Sequence, residues 1–276
     1  MKIQLSDPSE PFKPFIRYYK YIESEVTGIY KVVPNTFVEL YFNFTNFNIF
    51  SPGIYDLDNP RIHVSGLHQY DQNCFSHMLG TDRRAVFAIV FEPQGFFNLF
   101  KIKSSDFCNN VINGDSILKN DFYKLWEKLQ AFSDVEEMKR LAEKFLLDYA
   151  KKASGRLNII NNIINYMDNS NGMIRVSQIC NLFNVTPRSL NRYFKDEIGI
   201  SPKELLNIFR ITKAIKLIIH NPECDMTGIS YLNGYYDQSH FIKEIIRIAG
   251  RSPGHIRGSE LKNIVTFHNL VFIKKD

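Results

Sequence analysis

The chain has 276 residues, 44% of them hydrophobic and 23% charged, which excludes a largely disordered protein and leaves room for two ordinary domains. No run approaches the roughly 18 apolar residues needed to span a bilayer, and Met1-Lys2-Ile3-Gln4-Leu5-Ser6-Asp7-Pro8 has no apolar signal core, so the expectation is a cytoplasmic protein with no membrane partner. The net charge of +5 hides a partition: residues 151–276 hold 18 Lys and Arg against 10 Asp and Glu, net +8, and residues 1–150 hold 16 against 19, net −3. A basic half gathers at phosphate by counterion release; a solvated lysine-rich surface is the plain alternative.

In chain order, the first hundred residues alternate apolar and polar positions with many β-branched and aromatic side chains. Thr36-Phe37-Val38-Glu39-Leu40-Tyr41-Phe42-Asn43-Phe44 and Ala85-Val86-Phe87-Ala88-Ile89-Val90-Phe91 read as strands. Pro34-Asn35, Ser51-Pro52-Gly53, Asp58-Asn59-Pro60 and Leu79-Gly80-Thr81-Asp82 supply turn signals between strands. An antiparallel sandwich or barrel is expected. Helical spacing takes over between residues 116 and 150, with a break at Ser133-Asp134, and the small, basic stretch from Tyr149 to Gly155 marks a domain boundary. Cys74, Cys108, Cys180 and Cys224 are isolated, and read as reduced, mostly buried thiols.

Beyond Arg156 the chain reads as short helices. Leu157, Ile160, Ile163, Ile164 and Met167 form one apolar stripe, and a helix from about Val176 to Phe183 ends at Asn184, a residue tolerant of positive φ. Thr186-Pro187 starts the next helix, the threonine as N-cap and the proline at the first helical position. There Leu190, Tyr193 and Phe194 face inward, leaving Arg188, Ser189, Asn191, Arg192 and Lys195 outside. Gly199 closes this helix and Ser201-Pro202 opens another, Lys203 to Ile219.

Sliding the chain by 51 positions lays Leu190 over Phe241, Phe194 over Ile245, and Gly199-Ile200-Ser201-Pro202 over Gly250-Arg251-Ser252-Pro253. Such a repeat implies a duplicated supersecondary unit. In the second copy Ile229 and Leu232 are the expected buried positions, Gly234 makes the turn, Tyr235 packs, and Asp237 caps a helix carrying Gln238, Ser239, His240, Lys243 and Arg247. Two helix-turn-helix units joined by a rigid helix present both second helices on one face, about 34 Å apart, one turn of duplex. Arg pairs bidentately with guanine, and Asn or Gln with adenine. Arg188, Asn191 and Arg192 are thus the leading base readers, with Gln238, Ser239, His240 and Lys243 their equivalents; Lys243 and Arg247 are alternatively phosphate contacts. Helix starts near Arg175 to Ser177 and near Thr227 suit phosphate anchoring. The other readings are a plain helical bundle and a nonspecific architectural DNA binder.

These residues resemble the AraC/XylS family of transcription regulators across roughly residues 156 to 257, above all Gly234-Tyr235-Tyr236-Asp237-Gln238-Ser239-His240-Phe241 and Gly250-Arg251-Ser252-Pro253. The resemblance implies a bacterial, sequence-specific DNA-binding regulator with seven helices in this part, its recognition helices around Pro187 to Ile198 and Asp237 to Ile248. Cys180 and Tyr231 stand where that family usually has alanine, Asn184 where it commonly has glycine, and Ile245-Ile246 where it has Phe-Lys. The N-terminal half is similar to the cupin-like sensor domains that often precede this module, through Lys31 to Phe44 and Val90 to Phe100. The overall expectation is an α+β chain of two domains: residues 1–150, an antiparallel β-sandwich or barrel followed by helices, and residues 151–258, an all-α double helix-turn-helix (about 176–198 and 227–248, joined by helix 203–219). Residues 259–276 form a tail, read as a strand or a docking segment.

Seventeen of the 23 phenylalanines precede residue 150; most read as core, though an apolar effector pocket is compatible, with Glu39, Tyr41, Arg61, His63 and His68 as lining candidates. The helices of 116–150 are a candidate homodimer surface, and RNA polymerase is a candidate partner besides double-stranded DNA and a small-molecule effector. The runner-up from another class is a metal-dependent cupin enzyme, with His63, His68, His77 and Glu39 or Glu92 as the available ligands. Their spacing lacks the close H-x-H of such sites, and no nucleophile triad or phosphate loop offers another route. The expectation is a protein without catalytic residues, metal or cofactor.

Overall fold

A computed structural model describes the chain apart from residues 1, 25–27, 33–36, 45–60, 67–74, 79–83, 109, 119, 154–157, 222, 250, 251, 259–263, 268, 269, 275 and 276. The turn signals at Pro34-Asn35, 51–53, 58–60 and 79–82, the last two residues of the expected boundary, 154–155, and His68, Leu157, Cys74, Gly250 and Arg251 lie outside the described residues, whereas 149–153 belong to a helix.

The N-terminal region is built on a six-stranded antiparallel sheet. Its strands are β1 (Lys2–Ser6), β2 (Ile16–Ser24), β4 (Glu39–Asn43), β5 (Ile62–Ser65), β7 (Arg84–Phe91) and β8 (Val111–Asn113), in the order β1-β2-β7-β4-β5-β8. β3 (Gly28–Val32) and β6 (Phe75–Met78) belong to a second sheet. The first sheet is open, with β1 and β8 at its ends, so of the two expected forms a sandwich is nearer than a barrel. The second sheet is completed by the tail: β9 (Ile264–Phe267) and β10 (Leu270–Lys274) form a hairpin, and β10 pairs with β3, Phe272 opposite Val32.

Side-chain alternation divides the six-stranded sheet into two faces. Tyr19, Tyr21, Leu40, Phe42, Ile62, Val64, Phe87, Ile89 and Phe91 turn to one hydrophobic core. Three helices cover that face: α1 (Gly95–Phe100), α2 (Asp121–Leu129) and α3 (Val135–Ala153). The break expected at Ser133-Asp134 is real, because the Asp134 carboxylate accepts from the amides of Glu136 (2.9 Å) and Glu137 (3.3 Å) and so caps α3. Most of the phenylalanines are core. Phe96, Phe100, Phe107, Phe122 and Phe145 meet edge to face at centroid distances of 4.8 to 5.6 Å, tying the helices together, and Phe91 of β7 joins them 5.4 Å from Phe96. The opposite face carries polar groups, Lys20, Glu39, Tyr41, His63 and Ser65 among them.

The C-terminal region is helical: α4 (Asn158–Asn169), α5 (Val176–Leu182), α6 (Pro187–Tyr193), α7 (Pro202–His220), α8 (Met226–Leu232), α9 (Gln238–Ala249) and α10 (Pro253–Gly258). It has two cores. Ile160, Ile163, Ile164 and Met167 of α4 pack with Ile179, Leu190, Phe194 and the first half of α7, Leu205, Leu206 and Ile208. The second half of α7, Ile211 to Ile219, packs with Ile229, Tyr235, Phe241, Ile245 and Ile256. At 19 residues α7 is roughly 28 Å long, and each half is locked by a different unit.

The Cys224 thiol is exposed rather than buried, Cys108 is half-buried and Cys180 is buried; none of the three forms a disulfide. Among the described residues no helix is long and apolar enough to cross a membrane. Phe122 is 2% exposed and sits at the hub of the aromatic cluster. Phe122→Ala should therefore lower the unfolding free energy by about 3 to 5 kcal/mol, read as a reduced urea midpoint with an unchanged slope.

Candidate nucleic-acid interface

In the first unit, α5 ends in a turn whose pivot is Asn184, at φ 50, and the Val185 amide donates to the Cys180 carbonyl (3.0 Å). Thr186 then caps α6: its hydroxyl accepts from the Ser189 amide at 3.1 Å, and Pro187 takes the first helical position, as expected. Burial follows the helical period. Leu190, Phe194 and Ile198 are fully enclosed, Tyr193 is half-buried, and Arg188, Asn191, Arg192 and Lys195 are exposed, with Ser189 half-buried. The Asn191 amide folds back onto the Pro187 carbonyl (3.0 Å), and the Arg192 guanidinium lies 5.2 Å from the Tyr193 ring. The helix loosens into a π-turn over Phe194–Ile198 and ends at Gly199, whose φ of 94 admits the sharp exit without a Cβ penalty. Ser201 and Glu204 then form a reciprocal capping box that starts α7.

The second unit repeats the design with one change. Gly234 (φ 75) is the pivot, and the Tyr235 amide donates to the Ser230 carbonyl at 3.0 Å, matching the bond that closes the first turn. Asp237 caps α9, its carboxylate accepting from the His240 amide (2.7 Å). One residue separates pivot from cap in the first unit and two do so here. The additional residue is Tyr236, 92% exposed. The 51-residue offset thus holds for α6 and α9 but is 50 for the elements before them, and Leu232 corresponds to Leu182. Both leucines are exposed, 65% and 58%, so the expectation that Leu232 is buried is wrong: the buried stripe of this segment runs through Ile229, Ser230 and Asn233 and leaves Leu232 outside it.

On α9, Phe241 and Ile245 are buried, while Ser239, His240, Lys243 and Arg247 are exposed and Gln238 is half-buried. Gln238 accepts through Oε1 from the Thr227 hydroxyl (3.1 Å), which fixes its side chain and leaves the amide donors outward. His240 packs its ring 5.6 Å from that of Tyr235. Glu244 accepts from the Tyr235 hydroxyl (2.7 Å), the Asn207 amide (3.1 Å) and Arg247 (3.0 Å), so it ties α9 to α7 and holds part of the charge of Arg247. Burial, then the hydrogen bond to Glu244, push the Tyr235 hydroxyl well above the ordinary phenol range, which keeps it a neutral donor.

The two helix starts expected to hold phosphate differ. At Arg175, the backbone N–H of the cap is taken by Gln178 Oε1 (3.0 Å). At the start of α8 the amides of Thr227 (3.2 Å) and Gly228 (3.1 Å) are already bound by the Asp225 carboxylate, which places a negative charge where a phosphate would lie. Asp225 was missed in the sequence, although an aspartate two residues before the threonine is the ordinary cap signal.

The lining candidates in the β-region are partly brought together. Lys20 Nζ and Glu39 Oε2 form a buried ion pair at 2.7 Å, the Tyr41 hydroxyl donates to the same Glu39 oxygen, and the Tyr41 and His63 rings stack at 4.8 Å. Tyr41 and His63 are register partners across β4 and β5, which is why they meet. Lys20 was not anticipated; a lone lysine between Tyr18-Tyr19 and Tyr21-Ile22 is the signal that could have found it. Arg61 lies instead over the ring of Trp126 on α2, at 4.7 Å. Among the described residues no three His, Cys, Asp or Glu side chains converge as metal ligands would.

Residues 179–259 match a family model described as a helix-turn-helix domain, and residues 4–113 match one described as a domain of unknown function (DUF6597). Over 75 residues the chain is 36% identical to the HTH-type transcriptional activator RhaS of Escherichia coli O139:H28 (strain E24377A / ETEC), covering 27% of each protein. It is 34% identical over 79 residues to RhaS of Escherichia coli O9:H4 (strain HS), 29% of this chain and 28% of that one. The matches thus span little more than a quarter of the length of these curated relatives. Among solved structures, ToxT from Vibrio cholerae aligns at TM-score 0.45 and 13% identity over 93% of this chain and 98% of its own. The C-terminal domain of AraT from Geobacillus stearothermophilus aligns at TM-score 0.36 and 28% identity over 41% of this chain and 96% of its own. The C-terminal region is therefore a helix-turn-helix DNA-binding domain. Its two units are joined through α7.

Removing either cap should weaken the helix it starts. Thr186→Ala and Asp237→Ala are each expected to cost about 1 kcal/mol in equilibrium denaturation, with no loss of overall helicity by circular dichroism.

Proposed function

We propose that the chain is a sequence-specific transcription regulator without catalytic activity, whose α6 and α9 enter successive major grooves of double-stranded DNA. The observation that carries this reading is the division of both helices: Leu190, Phe194, Phe241 and Ile245 are fully buried, while Arg188, Arg192, Lys195, Ser239, His240 and Lys243 are exposed on the outer sides. Arg188, Asn191 and Arg192 read base edges from the first unit, with Ser189 and Lys195 at its margin. Gln238, Ser239, His240 and Lys243 do so from the second, and Arg247 contacts phosphate. The resemblance of this module to transcriptional activators in name and sequence supports the same reading.

In this reading residues 1–150 are the sensor and dimerisation part, 151–258 the DNA-binding part and 259–276 a tail. A small effector binds the β-region near Glu39, Tyr41 and His63, with Arg61 and His68 as further lining candidates; Lys20, paired with Glu39, joins them. A second copy of the chain docks through 116–150, and RNA polymerase is the partner at promoters.

Selection of bound fragments from random or genomic DNA tests the core of the proposal. The expected result is a motif of two short blocks about 10 base pairs apart; no enrichment over the input would sink it. On the selected site Arg192→Ala should cost about 1 to 3 kcal/mol and relax preference at one base pair, whereas an equal loss on every sequence would favour a nonspecific architectural binder.

A further inference from the structure

A polar contact between the β-region and the helical region falls on the turn that ends α6. After α1 the chain makes a 3-10 turn, Ser104–Asp106, that lies against the π-turn at the end of α6. The Ser104 hydroxyl, on a residue only 2% exposed, donates to the Glu197 carbonyl at 2.8 Å. Beside it Lys103 Nζ pairs with Asp196 Oδ1 at 3.2 Å. A Cβ on Gly199 would come within 3.0 Å of the Ser104 carbonyl oxygen and 3.2 Å of Cys108 Cβ, and Cys108 itself packs against the core of the first unit.

The same segment is anchored on its other side to the sheet. The ring of Phe107 is fully buried, edge-on to Phe96 at 5.3 Å, and the Asn110 amide donates to the Phe107 carbonyl (3.0 Å). The Asn110 carbonyl in turn accepts from the amide of Gly66 (2.9 Å), the residue that follows β5. β5 is the strand that carries His63, so one strand, one hydrogen-bonded turn and one buried hydroxyl join the polar sheet face to the last turn of α6. The second recognition helix is placed differently: α9 packs on α7, α8 and α10.

We propose that residues 103–108 are a clamp through which the β-sheet sets the position of the first recognition helix, while the second is set by α7. The assignment of α6 as a recognition helix underlies this inference. A π-turn is wider than an α-helical turn by one hydrogen-bond register, and at Phe194–Ile198 the Ser104 hydroxyl binds the Glu197 carbonyl of that turn from outside the helix.

Hydrogen exchange on the free full-length protein tests the clamp without DNA. In Ser104→Ala, amides of residues 194–199 should exchange about three to ten times faster than in the parent, while those of 241–247 stay unchanged. Lys103→Glu and Asp196→Lys should each produce a smaller increase, about twofold to fivefold, and the double reversal should return exchange to the parent rate. Footprinting on the selected DNA should then show weaker protection of the block read by α6 alone in Ser104→Ala. Unchanged exchange at 194–199 in all three single variants, or equal acceleration in both recognition helices, would overturn the clamp. Parent protein that gives no sequence-selective footprint would refute the regulator reading and leave the exchange result to decide the clamp.

Discussion

The structure of the C-terminal region rests on the sharing of one helix between two cores. α7 gives Leu205, Leu206 and Ile208 to the first unit and Ile211, Ala214, Ile215, Ile218 and Ile219 to the second, so neither unit can rotate about the other without breaking its own packing. Two independent helix-turn-helix modules on a flexible tether would meet DNA as separate ligands, each losing orientational freedom on binding. Units fused through a rigid helix have lost most of that freedom on folding, which favours simultaneous engagement. The Glu244 hub adds to this by tying α9 to Asn207 on the half of α7 that belongs to the first core.

Much of this region was legible in the residues because local chemistry decides it. Thr186-Pro187, Ser201-Pro202, Asn184, Gly199, Gly234 and Asp237 each specify a cap or a turn through their own backbone and side-chain geometry, and each does so in the structure. Leu232 shows where that logic fails. The inner stripe there runs through two polar residues, Ser230 and Asn233, which hydropathy alone assigns to the outside, and Leu232 is left exposed. The β-region was legible in class but not in pairing. The alternation of Glu39, Tyr41 and His63 was visible, whereas the arrival of Lys20 from β2 depends on strand order, a non-local property.

The polar face of the sheet and the helical face answer to different physics. On one side, apolar alternation and edge-to-face aromatic packing make a core that tolerates little change of volume. On the other, an acid and a base are withdrawn from water with a phenol beside them, an arrangement that stabilises little by itself and is sensitive to loss of either partner. His63 of β5 stacks on that phenol, so the group is built by three neighbouring strands, β2, β4 and β5.

The hairpin at the end of the chain has a consequence for biosynthesis. β10 meets β3 through Phe272 and Val32, positions separated by 272 − 32 = 240 residues. At about 5 to 20 residues per second a ribosome needs roughly 12 to 48 s to deliver the partner after β3 has emerged. During that interval the edge of β3 that β10 will cover stays open, as helices α1 to α10 are being made. Such an edge invites pairing with other nascent strands, so the yield of correctly assembled protein depends on translation speed and on chaperones that shield it.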